Sequence, residues 1–166
     1  INQGHKKIAH IIGNPNQGAS RLRYQGYLDA LRSNQINVPP EYIEQGYFTY
    51  GSGVIAAEKI LSLTDKPTAI FASNDEMAAA AISVANINKI SVPDELSVVG
   101  FDDTQLAIMV SPHLTTIRQP IQTMAENAIE ILTSKKLYDR DKDSSREFRH
   151  VLDFDIIERE STIKLL

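Results

Sequence analysis

The chain has 166 residues, no cysteine and a formal net charge of −4, from 17 basic and 21 acidic side chains. Disulfide scaffolds, cysteine-ligated metals and thiolate nucleophiles are excluded, and the acidic balance is the opposite of the basic face carried by a self-sufficient nucleic-acid binder. A chain of this length buries roughly 70% of its unfolded surface as one unit, and it has no run of ~18 apolar residues to cross a membrane.

In chain order, the segment before Ile8 carries Lys6 and Lys7 without an apolar stretch behind them, so it does not read as a signal peptide. The missing initiator methionine suggests a piece of a longer chain. Lys7–Gly13 is a short apolar run stopped by a Gly/Asn/Pro-rich loop, which reads as a buried strand. Leu22, Tyr24, Tyr27, Leu28 and Leu31 then recur at helical spacing within Ser20–Ser33. Tyr42–Phe48 reads as a weaker strand, and Gly53–Leu63 as a helix ended by Asp65-Lys66-Pro67. Thr68–Ala72 is the next strand. Ser73-Asn74-Asp75 after it has helix-capping chemistry ahead of the alanine-rich stretch Met77–Ile82. Leu96–Phe101 is a third apolar strand and Thr115–Gln119 a short β-branched one. Pro120 opens an amphipathic helix, Ile121–Leu132. Asp139–Glu147 is a mixed charge run that reads as a solvated loop, and Val151–Glu160 alternates like a half-exposed strand.

Three strand–helix repeats predict an α/β fold, a doubly wound parallel sheet with right-handed connections. Such sheets bind ligands outside the carboxyl ends of their strands. Those ends carry Arg21, Arg23, Tyr47, Phe48, Tyr50, Asn74, Asp75, Asp102, Asp103, Arg118 and Gln119. Amides, carboxylates and a guanidinium grip vicinal hydroxyls, which both donate and accept, and an aromatic wall suits the apolar face of a sugar ring. Taken singly, Asn74 also suits a helix cap, Asp102 a turn, Arg23 a surface charge and Phe48 a core position. Their common placement at one sheet edge is what selects binding.

Enzymatic alternatives are weaker. Gly51-Ser52-Gly53 with Ala56 matches a dinucleotide-binding fingerprint, with Asp75 at 22 residues beyond Gly53, but the preceding strand is interrupted by polar residues. Asp102 and Asp103 are adjacent, so on extended backbone they point to opposite faces and do not form a dyad. His5, His10, His113 and His150 lack metal-ligand spacing, and neither G-x-S-x-G nor a phosphate-binding loop occurs. No catalytic residue, metal or cofactor is expected.

The blocks Gly4–Gly13, Ser20–Tyr27, Pro67–Ala78, Val92–Asp103 and Pro112–Pro120 resemble, in order and spacing, the C-terminal effector-binding subdomain of lactose-repressor (LacI) family regulators, whose sensor core is like a type I periplasmic binding protein. The resemblance implies that residues 1–118 with about 156–166 form that subdomain. It implies that about 119–155 belong to the other, otherwise missing subdomain, and that the helix-turn-helix DNA-binding head is absent. Carried over by motif position, the effector contacts are Arg23, Phe48, Asn74 and Asp102, with Gln119 and Ile121 near the hinge; Asp75 and Asp103 cap or brace loops. The resemblance further implies a homodimer. Val54, Ala78, Ala81, Ile82, Ile108 and Met109 are the candidate interface residues, against the alternative of ordinary core packing. The expected function is that of a cytoplasmic repressor whose operator binding is controlled allosterically by a sugar or related metabolite. A solute-binding protein of a sugar transport system is the alternative, and a nucleotide-dependent enzyme a third reading.

Overall fold

A computed structural model describes residues 1–133 and 151–165. The predicted charge run Asp139–Glu147 lies outside the described residues. In chain order the elements are β1 (Ile8–Ile12), α1 (Gly18–Ser33), β2 (Ile43–Gln45), α2 (Tyr50–Leu61), β3 (Ala69–Ala72), α3 (Asp75–Ile87), β4 (Ser97–Val99), β5 (Thr116–Arg118), α4 (Ile121–Thr133) and β6 (Asp155–Ile157). Four strands form a parallel sheet in the order β2-β1-β3-β4, as the strand–helix repeats predict. A parallel bridge between Val99 and Thr115 brings β5 beside β4, and β5 pairs antiparallel with β6.

Strand alternation divides the two faces of the sheet. Ala9, Ile11, Ile70, Ala72 and Val98 enter the core with Ala56, Ala57, Ile60 and Leu61 of α2 and the alanines of α3. His10 and Phe71 point the other way, where Tyr24 and Tyr27 of α1 stack on them with centroids 4.8–5.8 Å from the His10 ring. The Tyr27 hydroxyl donates to the Ile8 carbonyl at 2.8 Å. The starts of α1 and α2 lie two and three residues before the predicted ones, at Gly18 and Tyr50, and α4 begins at Ile121 as predicted. Thr49 caps α2, accepting from the Ser52 amide at 3.3 Å, so Gly51 and Gly53 lie inside the helix. Of the predicted strand Val151–Glu160, Asp155–Ile157 pairs, and it is largely exposed.

Those two glycines are where the dinucleotide fingerprint fails. A Cβ on Gly53 would sit 2.7 Å from Met77 Cα, so this glycine serves the close approach of α2 to α3, whereas nothing lies within 4 Å of a Cβ on Gly51. The candidate interface residues differ in their exposure within this chain. Ala78, Ala81 and Ile82 are buried in the chain's own core, and the exposed positions of α3 are Glu76, Asn86 and Ile87. Val54 is half-buried against that core, while Ile108 and Met109 are exposed at 55% and 71%. No helix among the described residues is long and apolar enough to cross a membrane.

Two stability tests follow from this packing. Gly53→Ala is expected to destabilise by roughly 1–3 kcal/mol through overpacking, while Gly51→Ala stabilises by about 0.5 kcal/mol through helix propensity; opposite shifts in thermal midpoint check the pair. Burial lowers the His10 pKa from 6.5 to about 4, against the raising hydrogen bond its Nδ1 makes to the Phe71 carbonyl. The unfolded chain thus protonates His10 at a higher pH than the folded chain, and stability is lost as pH falls below 6.5 toward 4. Urea unfolding at pH 7.5 and 4.5 is expected to differ by roughly 2–3 kcal/mol more in the native chain than in His10→Phe, which keeps the stack without the titration.

Candidate functional site

The parallel sheet sends the carboxyl ends of its strands to one edge, and the loops after β1, β2, β3 and β4 build a rim there. Arg23, on the second turn of α1, reaches across it. One guanidinium nitrogen donates to the Ser73 carbonyl and another meets Asp102 Oδ1 at 3.4 Å. The guanidinium carbon lies 3.7 Å from the centroid of Phe101 and 5.7 Å from that of Phe48, within cation–π range. Gln119, just past β5, donates to the same Asp102 Oδ1 at 2.8 Å.

Phe48 is held in a left-handed backbone conformation, φ 64°, which costs a non-glycine residue roughly 1–2 kcal/mol. Asn74 secures it. Its side-chain amide donates to the Phe48 carbonyl at 2.9 Å while its oxygen caps α3 by accepting from the Met77 amide at 3.1 Å. Cap and site residue are therefore one and the same. The Phe48 ring lies against Gly13, where any Cβ would collide with it.

Asp102 and Asp103 also adopt positive φ, 113° and 51°, and they face different partners. Burial raises the Asp102 carboxyl above the usual carboxylate range, against the lowering charge of Arg23. Burial likewise lowers the Arg23 pKa, opposed by Asp102. Asp103 pairs instead with Arg118 and Arg159, at 2.6 and 2.7 Å. The two carboxylates face apart, as read from the sequence, but through positive φ rather than the extended backbone assumed there. Asp75 is a brace: one carboxylate oxygen accepts from the Thr104 amide and hydroxyl, the other from the Thr116 hydroxyl, close against Gly100.

The structure thus brings Arg23, Phe48, Asn74, Asp102 and Gln119 to one rim. It leaves Arg21, Tyr47 and Tyr50 exposed beside it, commits Arg118 to Asp103, and exposes Ile121 at the start of α4. Sequence reasoning missed the Phe101 ring under Arg23, read there as the end of an apolar strand, and the role of Gly13 in seating Phe48. Among the described residues no group of acidic or histidine side chains is disposed to hold a metal ion. The rim offers one half-buried carboxylate, one guanidinium, two amides and two aromatic rings, a set that grips a polyol or flat heterocycle and supplies no nucleophile poised beside a base.

A family model described as periplasmic binding protein-like domain matches residues 1–162. The chain is 40% identical over 134 residues to catabolite control protein A of Priestia megaterium, covering 80% of the chain and 40% of that protein. It is 38% identical over 166 residues to the HTH-type transcriptional repressor PurR of Vibrio atlanticus, covering 100% of the chain and 48% of the repressor. The chain therefore spans less than half the length of these relatives. Among solved structures, a complex of the transcriptional regulator CelR with cellobiose superposes with a TM-score of 0.87 at 31% identity, over 96% of this chain and 48% of that one. A lac repressor dimer bound to operator and an anti-inducer gives 0.85 at 27% identity, over 98% and 54%.

Proposed function

The chain belongs to the periplasmic-binding-protein-like domain family as found in LacI-type regulators, and on that premise we propose that it is the effector-sensing part of a cytoplasmic DNA-binding transcriptional repressor. The observation that carries the reading is the convergence of Arg23 and Gln119 on one carboxylate oxygen of Asp102, with Arg23 beside the Phe48 ring. In this reading the second oxygen of Asp102 accepts from a ligand hydroxyl, Arg23 donates to an adjacent oxygen, and Phe48 stacks on the ring face. Asn74 holds the Phe48 loop and lines the rim. A sugar or related metabolite suits this set, and the cellobiose-bound structural neighbour supports that class. Relatives that are repressors favour this over a solute-binding protein of a transport system.

Residues 1–118 with about 156–166 form the C-terminal subdomain in this reading, and about 119–155 serve the other half of the sensor. Two features support that division. No residue of α4 is buried, and its Ile121, Met124, Ile129 and Leu132 are exposed. A cleft of about 990 Å3, reaching from Arg23 and Phe101 past Tyr27 and Phe71 to Met124 and Phe154, lies open beneath it. Arg23, Phe101 and Gln119 are shared between the effector rim and this cleft, and the mostly apolar cleft receives the rest of the parent protein. Effector binding shifts the balance between open and closed arrangements of the two halves, and operator affinity follows through a helix-turn-helix head outside this chain. The regulator acts as a homodimer, with Val54, Ile108 and Met109 at the interface, a role supported by the exposure of the last two and by the dimeric lac repressor neighbour.

Calorimetry of the intact regulator against D-ribose, D-glucose, cellobiose and adenosine tests the assignment. At least one is expected to bind, and Asp102→Ala is expected to weaken it about 10- to 100-fold, the loss of a charge-assisted hydrogen bond, while the thermal midpoint stays near that of the native protein. Undiminished affinity in that variant would reject the site. For the interface, Ile108→Glu with Met109→Glu is expected to weaken dimerisation by at least about tenfold, since a charge on an apolar contact is left desolvated; sedimentation at graded concentration reads this, and an unchanged monomer fraction would reject the face.

A further inference from the structure

Behind the rim, the geometry points to Asp103 as the positioning residue that keeps Asp102 and Gln119 in register with β5 and β6, through its grip on Arg118 and Arg159. The carboxylate is 7% exposed and both oxygens are engaged: Oδ2 accepts from Arg118 Nε at 2.6 Å and Oδ1 from Arg159 Nη2 at 2.7 Å. Arg118 is the last residue of β5, and Arg159 lies two residues past the end of β6. One side chain therefore ties together the loop after β4 and both segments that connect the sheet with α4 and residue 151.

The anchoring is deep on the Arg159 side. Its Nη1 donates to the Leu114 carbonyl at 2.7 Å, its amide donates to the Thr115 hydroxyl at 2.9 Å, and that hydroxyl meets the Arg159 carbonyl at 3.1 Å. On the loop side, the Asp102 amide donates to the Ile117 carbonyl at 2.9 Å, so the loop itself runs along β5. Burial works against the Asp103 charge, but the hydrogen bonds and charges of Arg159 and Arg118 outweigh it and hold the carboxyl below its usual range. Positive φ at two successive aspartates aims one carboxylate at the rim and the other at the strands. Gln119 follows Arg118 directly, so fixing Arg118 fixes where the Gln119 amide meets Asp102. The consequence, which rests on the effector reading of the rim, is that the Asp102 carboxylate and the connecting strands move as one body.

The test needs no ligand, so its failure is distinguishable from a failure of the effector assignment. In the full chain, NMR exchange of the Gln119 side-chain amide with solvent is compared with that of the Asn74 amide, which is hydrogen-bonded in the same rim but outside the clamp. Asp103→Asn is expected to accelerate Gln119 by about tenfold, the loss of about one hydrogen bond's worth of protection, with Asn74 unchanged. Arg118→Gln removes a half-exposed side chain, so it preserves the fold should Asp103→Asn not fold, and it is expected to give about a threefold effect of the same kind. A Gln119 rate unchanged in Arg118→Gln would overturn the proposal, as would Gln119 and Asn74 accelerating together, which marks general loosening.

Discussion

A half-buried carboxylate, Asp102, is the point on which the functional edge of this protein depends. Three segments far apart in sequence converge there: α1 through Arg23, the loop after β4 through Asp102 itself, and the end of β5 through Gln119. Burial disfavours the charge and raises the carboxyl, and the guanidinium and amide offset part of that cost. An anion kept in place this way stays partly desolvated and oriented, so a hydroxyl arriving at its second oxygen meets an acceptor whose position is already set. Preorganisation of this kind reduces the ordering cost of binding.

Close backbone approaches make the convergence possible. Gly13 leaves room for the Phe48 ring, Gly53 lets α2 lie against Met77, and Gly100 admits the buried carboxylate of Asp75 beside β4. Asp75 then fastens Thr104 and Thr116, on either side of the loop that carries Asp102 and Asp103. The positive φ at Phe48 is held by the Asn74 amide on its carbonyl, and those at Asp102 and Asp103 are held by bonds to β5 and Arg159. Of the five non-glycine residues with positive φ among the described residues, three lie at the rim.

Much of this was legible in the chain itself. The apolar runs at β1, β3 and β4 and the helical periodicity between them announce a parallel sheet, because strands buried on both faces read as continuous apolar stretches. The parallel order then places Arg23, Phe48, Asn74, Asp102 and Gln119 at a common edge. The alanines of α3 were read equally as a docking face, since small residues permit close approach of any helix; burial shows that the helix they meet is α2 of the same chain. Gly53 of α2 fits the phosphate-binding fingerprint for a related reason, since both settings need an absent Cβ, although here the close neighbour is Met77.

Sequence by itself determined the class of fold, the edge at which chemistry collects and the residue types gathered there, because periodicity and strand direction are local properties that the pattern of apolar side chains encodes. Only the tertiary structure decided the pairings: which aspartate faces the rim and which faces Arg118 and Arg159, that Phe101 lies under Arg23, and that Asn74 serves cap and loop at once. Those depend on φ angles and on distances between residues as far as 79 positions apart in the chain, which no local pattern specifies.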